Sequence, residues 1–146
     1  MSRSGYSGDI DNWALIKWRG QVASAIRGKR GQRLLRELLE ALDAMPVKEL
    51  IANELQAADG SYCALGVVGA KRGIDLAAID PDEPTDVAAA FDIAQQLACE
   101  IAEINDMAYG CSPGTRWREV RAWVAAQIKE PTEVTETDAM NTPQRR

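Results

Sequence analysis

A chain of 146 residues with a net charge of −5, three cysteines and no histidine has the length of one domain, and a helical domain of that size buries enough surface to fold without disulfides or metals. The longest stretch free of polar side chains is Cys63–Ala70, far short of the roughly 20 residues of a spanning helix. Met1-Ser2-Arg3-Ser4-Gly5 has no apolar core behind its charge, so neither a membrane span nor a secretory signal is expected.

Cys63, Cys99 and Cys111 are odd in number and unrelated in spacing, which argues against a disulfide framework and for a reducing, cytoplasmic setting. Charge is unevenly spread. Residues 1–36 carry Arg3, Lys17, Arg19, Arg27, Lys29, Arg30, Arg33 and Arg36 against Asp9 and Asp11, a net +6, so the remainder carries −11.

The chain divides into a flexible N-terminus (1–8), a helical domain (9–130) and a disordered acidic tail (131–146), the tail being polar and without periodicity. The expected fold is all-α, a single compact domain of about six short helices. Asp9 or Asp11 caps a first helix to about Arg27, with Leu15, Trp18, Val22 and Ile26 at helical spacing and Trp13 and Ile16 widening the stripe. Gly28 and Gly31 bracket a stop and restart. A second helix over 32–44 sets Leu34, Leu35, Leu38, Leu39, Leu42 and Met45 on one face and places Arg36 and Glu40 for an i,i+4 pair.

Pro46 separates a third helix, with Val47, Leu50, Ile51 and Leu55, ending at Ala58-Asp59-Gly60. Ser61 caps a small-sided fourth helix through Arg72, stopped by Gly73. Gly66 and Gly69 cost about 1 kcal/mol each in helix propensity and make sense where another backbone packs close; a short buried strand is the rival reading. An acidic turn over 79–85 precedes a short helix from Asp86 to Phe91. Asp92 with Gln95 resembles a capping box for a helix lined by Ile93, Leu97, Ile101 and Ile104. After a loop from Met107, Ser112 caps the last helix, with Pro113 at its first position and Trp117, Val120, Val124 and Ile128 facing the core.

The missing histidine removes Ser-His-Asp and Cys-His catalysis and imidazole-ligated zinc. Cys63 near a helix start is the one plausible nucleophile, yet no base stands near it in sequence, and a small buried residue at a tight crossing is the plainer account. Asp80, Asp82, Glu83 and Asp86 resemble a hard-cation cluster, but Pro84 and Thr85 stand where an EF-hand loop needs a ligand and a glycine. No phosphate-binding glycine motif is present. Neither a metal nor a cofactor is expected, and a cysteine- or carboxylate-dependent enzyme remains the alternative.

The basic region is the stronger lead. Arg27, Lys29 and Arg30 precede a helix N-terminus, an electropositive place, with Lys17, Arg19, Arg33 and Arg36 on either side. On a shared face the seven form a phosphate-binding patch; otherwise they are solvated surface. Trp18, between Lys17 and Arg19, is a candidate interface anchor or base-stacking platform, while Trp13, Trp117 and Trp123 fit core faces.

Met1-Ser-Arg-Ser-Gly-Tyr-Ser, Trp13-Ala-Leu-Ile-Lys-Trp-Arg-Gly, Gly28-Lys-Arg-Gly-Gln, Cys63-Ala-Leu-Gly, Arg72-Gly-Ile-Asp, Asn105-Asp and Trp117-Arg-Glu-Val-Arg-Ala-Trp together resemble a group of small uncharacterised proteins of tailed phages and prophages, over residues 1 to about 129. The resemblance implies expression in the cytoplasm of an infected or lysogenic bacterium and carries no assigned activity. It marks Cys63, Gly66, Asn105 and Asp106 as recurring positions, which a structural role explains: close helix contact at Gly66 and a hydrogen-bonded helix end at Asn105-Asp106. The expectation is a non-catalytic accessory protein that binds either nucleic acid or a host protein, as an anti-defence or host-modulating factor, with no membrane contact.

Overall fold

Six α-helices carry the part of the chain that the computed structural model describes, residues 12–107 and 111–129. They are α1 (Asn12–Arg27), α2 (Lys29–Asp43), α3 (Ala64–Arg72), α4 (Pro84–Phe91), α5 (Gln95–Met107) and α6 (Pro113–Gln127), with one 3-10 turn at Leu76–Ala78. The fold is all-α, with a lone bridge between Gln56 and Tyr62. No described helix is long and apolar enough to cross a membrane. Asp9, Asp11, the 1–8 segment and the 131–146 tail lie outside the described residues.

The centre is α2, whose Leu34, Leu35, Leu38 and Leu42 are each at most 1% exposed. Burying four such side chains contributes about 1.5–3 kcal/mol apiece. Helix α3 packs against α2, as do α6 and α1; α5 closes the core against α1, α3, α4 and α6. Trp117 of α6 is buried and donates its indole N–H to the Leu42 carbonyl at 3.2 Å, which satisfies both the ring's polar atom and a carbonyl at the end of α2. Helix α6 opens as its sequence dictates: the Ser112 hydroxyl accepts from the Thr115 N–H at 3.2 Å, and Pro113 holds the first position.

Helix α2 begins at Lys29, earlier than the expected 32, so only Gly28 separates it from α1. Gly31 is a buried residue of α2, where a Cβ would lie 2.0 Å from the Ala25 carbonyl oxygen. The tight joint therefore needs Gly31 inside the helix, not as a bracket around a turn.

The expected third helix does not form. Residues 45–62 run as an irregular strap. Leu50 and Leu55 are buried as their spacing implies, but the backbone bonds outward: Leu50 N–H to Pro113 O (3.1 Å), Ile51 N–H to Tyr62 O (3.0 Å) and Cys63 N–H to Leu55 O (3.2 Å). Asn53 sits at φ 70°, a left-handed conformation that Asn tolerates and a helix does not. Bonds to distant carbonyls replace the i→i−4 ladder.

Helix α3 starts at Ala64 with Cys63, not Ser61, at its N-cap, and ends at Gly73 with φ 74° as expected; the strand reading fails. Gly66 has the close backbone that its place in a helix requires. A Cβ there would lie 1.9 Å from the Leu55 carbonyl oxygen, so the strap crosses directly over α3. Asp92 is also reassigned. It is the left-handed C-cap of α4, with φ 56°, because the Ile93 N–H turns back to the Ala88 carbonyl at 3.1 Å and buries Ile93.

Candidate functional site

Cys63, Gly66, Asn105 and Asp106 do assemble in space. Asn105, wholly buried, accepts from the Ala64 N–H at 3.1 Å and donates to the Ile51 carbonyl (2.8 Å) and to Asp106 Oδ1 (2.9 Å). Asp106 Oδ1 also takes the Asn53 N–H at 3.1 Å. Arg116, buried on α6, donates to the carbonyls of Asn105 (3.0 Å) and Leu50 (3.3 Å). These polar groups tie α3, α5, α6 and the strap together, and each named bond is internal. Arg116 was invisible in the sequence as a core residue, since its position on α6 offered no sign of the two carbonyls it meets. The Cys63 side chain is 1% exposed, out of reach of a substrate. Burial, then the neighbouring Glu100 charge, pushes the Cys99 thiol up to about 11, so it holds little thiolate at neutral pH. Among the described residues no three His, Cys, Asp or Glu side chains are grouped to hold a metal.

The seven basic residues separate into three sets. Arg19 reaches Glu100 at 2.8 Å, a carboxylate only 5% exposed, and Arg30 reaches Asp92 at 3.1 Å. Both acids lie far away in sequence, which is why the pairing was not legible. Lys17 lies ten residues before Arg27 on α1, about 15 Å along the axis. Lys29, Arg33 and Arg36 remain, all exposed, at i, i+4 and i+7 along one line of α2, with Arg27 at the adjoining helix end. Among the described residues, Arg27, Lys29, Arg33 and Arg36 have no carboxylate within ion-pair distance. Arg36 bonds the Lys129 carbonyl at 2.7 Å in place of the expected pair with Glu40.

Helix α1 holds the feature that sequence reasoning misplaced. Trp18, the proposed anchor, is half-buried. Trp13, assigned to the core, is 73% exposed, and Ile16 is 62% exposed. The signal was in the spacing. At about 100° per residue, Leu15, Trp18, Val22 and Ile26 cluster on one side, and Trp13 stands about 180° from Val22. Lys17, Gly20 and Ser24 share the Trp13 line, with Ile16 beside it.

A glycine inside a helix costs about 1 kcal/mol against alanine, yet a Cβ on Gly20 would meet nothing within 4 Å. No packing within the described chain requires that gap. A shallow groove of about 620 Å³ runs past it, lined by Ile16, Lys17, Gly20, Gln21, Ser24, Ala25, Ala94 and Gln96, without a carboxylate. A second groove of similar size opens at the end of α2 among Ala44, Met45, Val47, Tyr62, Val67 and Ala70, with Glu49, Asp59 and Lys71 also lining it.

No protein-family model, no curated protein and no solved structure matches this chain.

Proposed function

We propose that this is a non-catalytic binding protein that docks a partner protein through the outer face of α1, with Trp13 and Ile16 as apolar anchors and Gly20 as the point of close approach. The observation that carries the reading is the exposure of Trp13 and Ile16 on one helical face. Interface energy concentrates in a few residues, tryptophan foremost, set in desolvated pockets. The unfilled space at Gly20 lets a partner backbone come nearer than any side chain would allow. Helix α1 carries Lys17 on the Trp13 line and has no acid, so the fitting partner surface is an apolar pocket with an acidic rim. The resemblance to phage and prophage proteins supports a setting inside a bacterial cell, with a host protein as partner and anti-defence or host modulation as the purpose. The buried Cys63 supports the non-catalytic part of the reading.

A specific observation favours a second reading. Arg27, Lys29, Arg33 and Arg36 are exposed and lack carboxylate partners among the described residues, while Arg72 and Arg121 are paired with Glu37 and Asp43. A phosphate backbone laid along α2 would meet three to four cations, and its affinity would fall steeply with salt.

Affinity capture from the native cell, with and without nuclease, separates the two. On the first reading one stoichiometric protein survives nuclease and is lost from Trp13→Ala/Ile16→Ala, whose melting temperature is unchanged. Material recovered only without nuclease, and lost from Lys29→Ala/Arg33→Ala, establishes the second and overturns the first.

A further inference from the structure

Trp13, Ile16, Lys17 and Gly20 stand at i, i+3, i+4 and i+7 of α1, the spacing with which a helix lays one face into a groove. Trp13 and Ile16 are exposed, and α1 carries no acid. Val22, on the opposite side, is the residue that α1 buries in its own chain.

The chain also carries a groove of matching character. About 620 Å³ opens between the end of α2, the strap and α3, walled by Ala44, Val47, Val67 and Ala70, with the exposed acids Glu49 and Asp59 beside them. Asp59 is held in place, since its Oδ1 accepts from the Ser61 N–H at 3.0 Å. Among the described residues neither acid has a cation within ion-pair distance. Lys71 lines the same groove but acts also on Glu37, whose carboxyl it helps to hold below the usual glutamate value.

We propose that the outer face of α1 in one copy of this chain docks into the α2–α3 groove of a second copy, a head-to-tail contact that covers Trp13. Trp13 and Ile16 meet the apolar walls, and Lys17 meets the acidic side. The charges select this pairing over the two symmetric ones. Face against face brings two Lys17 ammonium groups onto one contact, and groove against groove brings the Glu49 and Asp59 carboxylates together. Like charges suppress both. A head-to-tail contact leaves one face and one groove free, so it continues into a ring or an open filament. One helix face in one groove is a small contact, at the weak end of protein interfaces. It forms among concentrated copies and yields to a partner that binds α1 more tightly. The inference rests on α1 being a docking face and gives that face a competitor, the chain itself.

The test is sedimentation equilibrium of the purified full chain over a wide range of concentration. The mean mass of wild type is expected to rise with concentration. Trp13→Ala removes the anchor, and Val47→Arg/Ala70→Arg blocks the groove. All three residues are exposed, so both variants are expected to keep the wild-type melting temperature. Each alone is expected to associate about thirtyfold more weakly, the effect of losing a tryptophan hot spot. Mixed, they supply one intact groove and one intact α1 face, so they are expected to form a one-to-one dimer and nothing larger. A wild-type chain that stays monomeric overturns the proposal, and if it still captures a partner through Trp13 the reading of α1 as a docking face stands. Association that survives either change, or variants that do not pair when mixed, also overturns it.

Discussion

The Asn105 side chain of α5 accepts a hydrogen bond from the backbone N–H of Ala64, the first residue of α3, at 3.1 Å. A helix N-terminus leaves its first N–H groups without internal partners. Here the cap comes from 41 residues away, and the same amide also holds the strap through the Ile51 carbonyl.

Asn105→Ala strands that buried N–H and that carbonyl together. Each lost partner costs about 1–3 kcal/mol, so the variant is expected to lose about 2–6 kcal/mol in urea unfolding. A loss below about 1 kcal/mol would mean that water enters and takes over both bonds.

Two glycines should respond to alanine in opposite ways. Gly66→Ala forces a methyl to 1.9 Å from the Leu55 carbonyl oxygen. Backbone cannot yield as a side-chain tip does, so the cost is about 3 kcal/mol or more. Gly20→Ala meets empty space and should gain about 1 kcal/mol in stability from helix propensity, while weakening partner capture. Thermal melts of both variants decide the matter. A Gly20→Ala chain that is more stable and binds its partner as well as wild type would remove Gly20 from the interface.

Arg72 holds both oxygens of Glu37, at 2.8 and 2.5 Å. The hydrogen bond from Arg72, and then its charge, keep the Glu37 carboxyl below the usual glutamate value against a partial burial that pushes it up. A depressed carboxylate contributes stability that is full above its unfolded value and is lost as pH falls through its folded value. With both side chains partly exposed, the contribution is about 1 kcal/mol or less. The stability difference between wild type and Glu37→Gln is therefore expected at neutral pH and should vanish once acid has titrated Glu37. A difference that persists unchanged to strongly acidic pH would assign the effect to packing.

The parts of the fold set by local pattern were legible in the sequence. The leucine face of α2, the Ser112-Pro113 start of α6 and the Gly73 stop of α3 each depend on residues within a few positions of one another. The 45–62 strap was not legible. Val47, Leu50, Ile51 and Leu55 have helical spacing, and the backbone bonds to Pro113 and Tyr62 that prevent a helix lie elsewhere in the chain. Which of the basic residues would be ion-paired was not legible for the same reason, since Glu100 and Asp92 become neighbours of Arg19 and Arg30 only after folding. Trp13 could have been placed correctly, because its angle on α1 opposes Val22. Reading Trp13 and Ile16 as a widening of the apolar stripe set that angle aside.

The outer face of α1 is the proposed binding surface, and a photo-crosslinking residue tests that face directly. Placed at Ile16 in the full chain, it is expected to join one partner protein in the native cell. Placed at Val47, exposed beside the groove at the end of α2, it should leave that partner unjoined. Crosslinks from position 47 alone, or from neither position, would contradict the assignment of α1 as the binding surface.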